Sequence, residues 1–244
     1  MSAPSGPIVV DRIHCGPPES ANGGWISGLL AERVATGPGK PAVTVRLSSP
    51  PPLDTPLTVG GYGAVYLLQH GHRQIATASP SPAIDLELPT PATVDEATAA
   101  ETRFEGLVGH PFPTCFSCGT GRDPGEALAL RPGPLNDGTG RYAAHWTPRE
   151  ASVPLVWAAL DCPGGWAAGI AGRPMVLGSM TAQVFGMPEV GVPHVVTSWQ
   201  VLDDGRKHHS ASMLHSPAGE LLGLATAIWI AVDPESVRPA GAGA

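Results

Sequence analysis

Lysine is almost absent from the chain: Lys40 and Lys207 stand against twelve arginines. Charge of either sign is sparse, at 14% of residues, and the balance is −7 at pH 7. With no basic run, the electrostatic footprint that nucleic-acid binding needs is missing, so no nucleic-acid partner is expected. Long hydrophobic runs are missing as well. No uninterrupted apolar segment approaches the roughly 20 residues of a membrane helix. The opening MSAPSGPIVVDR lacks the basic-then-apolar order of a signal peptide. These absences predict a cytoplasmic protein with no membrane partner. Cysteine is limited to Cys15, Cys115, Cys118 and Cys162; in such a compartment they read as thiols or ligands, not disulfides. No G-x-S-x-G string occurs, which disfavours a serine hydrolase of the common α/β type. The Gly60–Val65 string is a bulge or hairpin rather than a phosphate cradle, and no cofactor is expected.

What is present is a chain of 244 residues, 42% hydrophobic, enough for one large domain or two small ones around a real core. Its 31 glycines and 28 prolines are scattered without period and mark many turns, favouring a sheet-rich fold. Residues 8–13 read as a short strand. A helix capped by Asn22 or Ser20 carries Trp25, Ile26, Leu29, Leu30 and Val34 on its apolar positions and is ended by Gly37-Pro38-Gly39. Strands are expected at 42–47, 57–60, 64–69 and 73–78. Residues 79–111 turn proline-rich and acidic and read as a linker, with a helical turn near 94–104. A strand at 140–146, a helix from 155, and strands at 175–186, 194–203, 207–215 and 220–232 follow. The order of elements thus repeats. Thr44 aligns with Thr181, Pro51 with Pro188 and Pro56 with Pro193 at one common spacing, which indicates an internal duplication. The expected organisation is an N-terminal unit over 1–88, a linker over 89–111, a C-terminal unit over 112–234 and a tail over 235–244, with an α+β architecture.

Residues 155–172, LVWAALDCPGGWAAGIAG, are apolar on every face, as in a buried helix. Between Ala151 and Gly172 the only charged residue is Asp161. A lone carboxylate in such surroundings costs several kcal/mol unless it finds partners or stays protonated. Two readings are open: Asp161 caps a second helical piece that begins at Cys162-Pro163, or it does chemistry.

The CFSCG turn (115–119), the helix ending in Leu160-Asp161, and the Asn22-Gly23-Gly24-Trp25 helix start together resemble thioesterases of the hotdog superfamily, particularly the phenylacetyl-CoA thioesterase-like group. The resemblance covers most of residues 8–78 and 112–232. It implies a double hotdog, with two long central helices each wrapped by antiparallel sheet. It also implies a site shared between halves, glycine backbone from one and carboxylate from the other. Here Asn22, Gly23 and Gly24 would meet Asp161, with Trp25 and Trp157 toward the substrate. The reciprocal site would join Ser152-Val153-Pro154 to Ala31 or Glu32 and is incomplete. The implied activity is hydrolysis of acyl-CoA or another acyl thioester, by a monomer or a homodimer. Helix-start N–H groups would hold the oxyanion and a carboxylate would activate water. The hotdog hydratase string Gly-Asp-x-Asn-Pro-[Leu/Ile/Val]-His is absent. The alternative is a non-catalytic acyl-ligand-binding protein with a degenerate site. Cys115-x-x-Cys118 is half a zinc site; His110 or Cys15 would have to complete it, no second pair appears, and no metal is expected.

Overall fold

A computed structural model of the chain describes residues 6–237. These residues form a single antiparallel sheet of ten strands. The first four are β1 (Ala42–Leu47), β2 (Thr58–Tyr62), β3 (Val65–His70) and β4 (Arg73–Ser81). After α2 come β5 (Gly133–Pro134) and β6 (Tyr142–Trp146), and after α3 come β7 (Met175–Val184), β8 (His194–Asp204), β9 (Lys207–His215) and β10 (Leu221–Ala231). The three α-helices are α1 (Gly23–Ala31), α2 (Val94–Glu101) and α3 (Val153–Ala167). Across the sheet the order is β2-β3-β4-β1-β7-β10-β9-β8-β6-β5.

The seam between the two halves of the chain is the β1–β7 pair. Thr44 lies opposite Thr181, flanked by Val43 opposite Ala182 and Val45 opposite Met180. The Thr44 and Thr181 hydroxyls are 2.8 Å apart. The two threonines that align in the sequence thus face each other across an antiparallel ladder. The halves are not equal. In the second, β6 leads into α3 and pairs with β8. In the first, the corresponding place holds one isolated bridge, Ile8 to Leu57. The strand expected at 8–13 does not form, because Asp11 accepts the Ile13 N–H at 2.9 Å and caps a 3-10 turn over Arg12–His14.

Helix α1 begins where expected, with Asn22 Oδ1 accepting the Trp25 N–H at 2.8 Å. It stops at Ala31, well before Gly37, as the Arg33 guanidinium takes the Leu29 carbonyl at 2.9 Å. The expectation of two long central helices is corrected accordingly: α1 has 9 residues and α3 has 15. Helix α3 runs unbroken through Pro163, so Asp161 is no cap. Every residue of α3 after Val153 is buried. Serines of the surrounding elements reach its carbonyls: Ser117 Oγ to Ala158 O at 2.9 Å, Ser198 Oγ to Pro163 O at 2.8 Å, and Ser212 Oγ to Leu160 O. These bonds tie the helix to the elements around it in a water-free interior. Trp157, Leu160 and Trp166 are buried almost completely along α3, each contributing on the order of 1.5–3 kcal/mol by burial.

The segment read as a linker contains α2. Thr93 and Glu96 close a capping box at its start. Ala97 and Ala100 are wholly buried against the β5–β6 edge. A Cβ on Gly133 would lie 1.8 Å from the Ala100 carbonyl oxygen, so glycine there is what admits the helix. The Gly60–Val65 string forms the β2–β3 hairpin, with Gly63 at φ +59°. No helix among the described residues is long and apolar enough to cross a membrane. Of the expected tail, Pro234–Val237 makes a 3-10 turn, and 238–244 lie outside the described residues.

Candidate active site

Helices α1 and α3 touch because α1 has glycine at the contact. A Cβ on Gly24 would fall 2.5 Å from Asp161 Cβ and 2.6 Å from the Trp157 carbonyl oxygen; one on Gly28 would fall 2.5 Å from Pro154 Cα. With no side chains between them, the start of α1 meets the middle of α3 backbone to backbone. Asp161 Oδ2 accepts two hydrogen bonds there, from the Gly24 N–H at 2.9 Å and from Asn22 Nδ2 at 3.1 Å. Asn22 thus does two jobs with one amide: its oxygen caps α1 and its nitrogen holds the carboxylate. The other carboxylate oxygen, Oδ1, is buried and has no partner among the described residues.

Asp161 is 2% exposed. Burial raises its pKa from 3.8 to about 7, the largest influence; the Gly24 N–H works against it, the Cys115 sulfur adds to it, and the Asn22 amide again opposes it. A carboxyl group poised there is half ionised near neutrality, the condition a general base needs.

Asp161 and Asn22 line a cavity of about 460 Å³. Gly23 also lines it; Gly24 does not. The distinction matters, since the Gly24 N–H is taken by Asp161, whereas the Gly23 N–H meets no protein acceptor among the described residues. The apolar wall comes from Trp166, Ile170, Met175, Leu177 and Trp229. Three thiols, Cys115, Cys118 and Cys162, complete the floor.

The structure thus brings together Asn22, Gly23, Gly24 and Asp161, and leaves the two anticipated tryptophans elsewhere. Trp157 is core, 1% exposed, and Trp25 stacks on His14 with ring centroids 3.9 Å apart; neither lines the cavity. Trp166 and Trp229 take that place. The position of Trp166 had a signal, because it follows Cys162 by one helical turn on the same face; that of Trp229, on the last strand, had none. At the reciprocal position Pro154 has no N–H to offer, Ala31 has no ionisable group, and Glu32 is an exposed C-cap residue.

No protein-family model and no curated protein sequence matches the chain. Solved structures do. The chain is similar to a conserved protein of unknown function with a hot dog fold from Alicyclobacillus acidocaldarius, at 13% identity and a TM-score of 0.61, over 92% of both chains. It is similar to the tesB protein of Mycobacterium avium subs paratuberculosis, at 11% identity and TM-score 0.57, over 89% of this chain and 90% of that one. The acyl-CoA thioesterase II TesB2 of Mycobacterium marinum matches at 10% identity and TM-score 0.55, over 88% and 90%. The chain has the fold of the hotdog thioesterases.

Proposed function

We propose that this chain is a double hotdog with one working composite site, and that the site hydrolyses acyl thioesters, acyl-CoA being the leading substrate class. The observation that carries the reading is the bond between Asp161 of one half and the α1 start of the other, beside a cavity with a polar end and an apolar wall. The acyl chain would lie along Met175, Leu177 and Trp229. The thioester carbonyl oxygen would face the Gly23 N–H, at the positive end of α1.

The chemistry follows from the two oxygens of Asp161. Oδ2 is held by Gly24 and Asn22, which fixes the carboxylate; Oδ1 is left to receive a proton. Oδ1 is closed to solvent in the free protein, so this mechanism requires that acyl-thioester binding admit a water to it; that water gives up its proton to Oδ1 as its oxygen bonds to the carbonyl carbon. The tetrahedral oxyanion rests on the Gly23 N–H. When the C–S bond breaks, the departing thiolate takes the proton from Asp161, leaving the carboxylate ready again. The same site without turnover would describe an acyl-ligand-binding protein.

The deciding experiment is thiol release across a series of acyl-CoA lengths, beside a thermal-shift screen with the same ligands. Expected are turnover that rises with pH through about 7, where Asp161 ionises, and its loss in Asp161→Asn. Ligand-dependent stabilisation with no thiol release at any length would overturn hydrolysis and leave the binding protein.

A further inference from the structure

The mechanism leaves the three cavity-floor thiols unused. Their sulfurs all lie within 4.8 Å of one another, and Cys115 Sγ is 3.6 Å from Cys162 Sγ. Four-coordinate zinc binds sulfur at about 2.3 Å in a tetrahedron; two such ligands stand roughly 3.8 Å apart by that geometry. The trio is therefore already spaced to share one ion. From these positions we infer that Cys115, Cys118 and Cys162 form a three-thiolate site for a soft divalent cation, Zn2+ foremost, with its fourth position open to the cavity.

The surroundings are those of a built ligand set. Cys115 and Cys118 come from a tight turn closed by the Gly119 N–H on the Cys115 carbonyl at 2.8 Å. A Cβ on Gly119 would fall 2.5–2.6 Å from the Pro113 oxygen and the Cys115 backbone, so only glycine closes the turn this way. Cys162 is delivered by α3 from 47 residues away. The sulfurs are met by N–H donors, as metal-bound thiolates require of their second shell. Asn22 Nδ2 is 3.7 Å from Cys115 Sγ and 3.8 Å from Cys162 Sγ, and Trp166 Nε1 donates to Cys118 Sγ at 3.4 Å. The Cys118 and Cys162 thiols, ahead of the backbone N–H groups of Cys118 and Ser117, hold Cys115 well below the usual thiol range, while Cys118 and Cys162 are themselves pushed well above it.

The other groups are accounted for. His110 accepts the Phe112 N–H at Nδ1, at 3.0 Å, and turns Nε2 to the Cys118 carbonyl at 3.1 Å. Cys15 bonds the Thr114 carbonyl at 3.1 Å. Among the described residues, no carboxylate lies within the same 4.8 Å of all three sulfurs. Three protein ligands and one open position facing a cavity are the pattern of a reactive metal centre rather than a closed structural one. Each thiol that still holds a proton releases it on binding, so affinity rises with pH. Disulfide formation between Cys115 and Cys162 would abolish the site.

The site does not depend on the hydrolytic reading, and its test measures metal. Full-length protein, stripped with a chelator and kept reduced with a phosphine, is titrated with Co2+ and then Zn2+. Expected are one Co2+ per chain, a thiolate-to-cobalt charge-transfer band with tetrahedral d–d bands, and their loss when Zn2+ displaces cobalt. Cys118→Ser and Cys162→Ser should each lose the band, while Cys15→Ser keeps it. Zn2+ should raise the unfolding midpoint of the unmodified chain, a readout that stands even if a cysteine variant fails to fold. Folded, reduced protein that gives no charge-transfer band and no Zn2+-dependent shift overturns the site. So does a band that survives in both Cys118→Ser and Cys162→Ser.

Discussion

Replacing Asp161 by asparagine should make the protein more stable, by an amount that grows from about pH 4 to about pH 7 and is constant above. The side chain keeps its size. An amide oxygen can still accept from the Gly24 N–H and from Asn22 Nδ2, which now stand 2.9 and 3.1 Å from Oδ2. What goes is the ionisation. The carboxyl has a pKa of 3.8 when free and about 7 in the fold, so between those values the folded chain binds more protons than the unfolded one. Stability then falls as pH rises through that window. The cost is absent below it and complete above it. At 1.36 kcal/mol per pKa unit, the full gap is worth about 4 kcal/mol for this buried group. Urea unfolding of both proteins at matched pH isolates the effect, because every other titrating group is common to the two. The variant's advantage should be near zero at about pH 4 and grow to about 4 kcal/mol at about pH 8. Thioester hydrolysis should meanwhile drop by about 10² or more, the scale of a lost general base. A stability difference that is the same at both ends of the pH range would refute the argument.

Three further outcomes follow from the same contacts. Gly24→Ala puts a methyl 2.5 Å from Asp161 Cβ and against α3 backbone; overpacking of this kind costs about 1–3 kcal/mol or more, and calorimetry should show a lower midpoint together with lost turnover. Asn22→Ala removes a cap, about 1 kcal/mol, and one bond to the carboxylate, so the pH midpoint of hydrolysis should move up; an unmoved midpoint would show that Asn22 only caps. Gly133→Ala, whose Cβ would meet the Ala100 oxygen at 1.8 Å, should release α2 and speed amide exchange at Ala97 and Ala100 while leaving the β1–β7 seam protected.

Much of the sheet was legible because period-two alternation and glycine turns are local signals. Strands β1, β3 and β4 and the hairpins of the second half fall within a few residues of their expected places. Thr44 and Thr181, aligned in the sequence, stand side by side in the β1–β7 ladder. The end of α1 was not, since it depends on Arg33 reaching back to Leu29, which leaves no breaker residue in the sequence. Nor was the continuity of α3 through Pro163. Every residue of the helix after Val153 is packed against other elements, and no local rule counts that packing. At the site, residue types were readable and assignments were not. Sequence cannot say which of two adjacent glycines turns its N–H to the carboxylate and which to the cavity; the crossing of the helices decides it. Cys162 lies 47 residues from Cys115, beyond any ligand-spacing pattern.

The β1–β7 seam joins two parts of one polypeptide. In an assembly of identical subunits, each substitution is made twice, once on either side of the axis. Here it is made once. A feature of the first side, such as the isolated Ile8–Leu57 bridge where the second side has a strand, is not imposed on the second. On the function proposed above, the halves are free to specialise, one giving backbone donors and the other the acid. Their association is also fixed at synthesis, so it does not weaken when the protein is dilute.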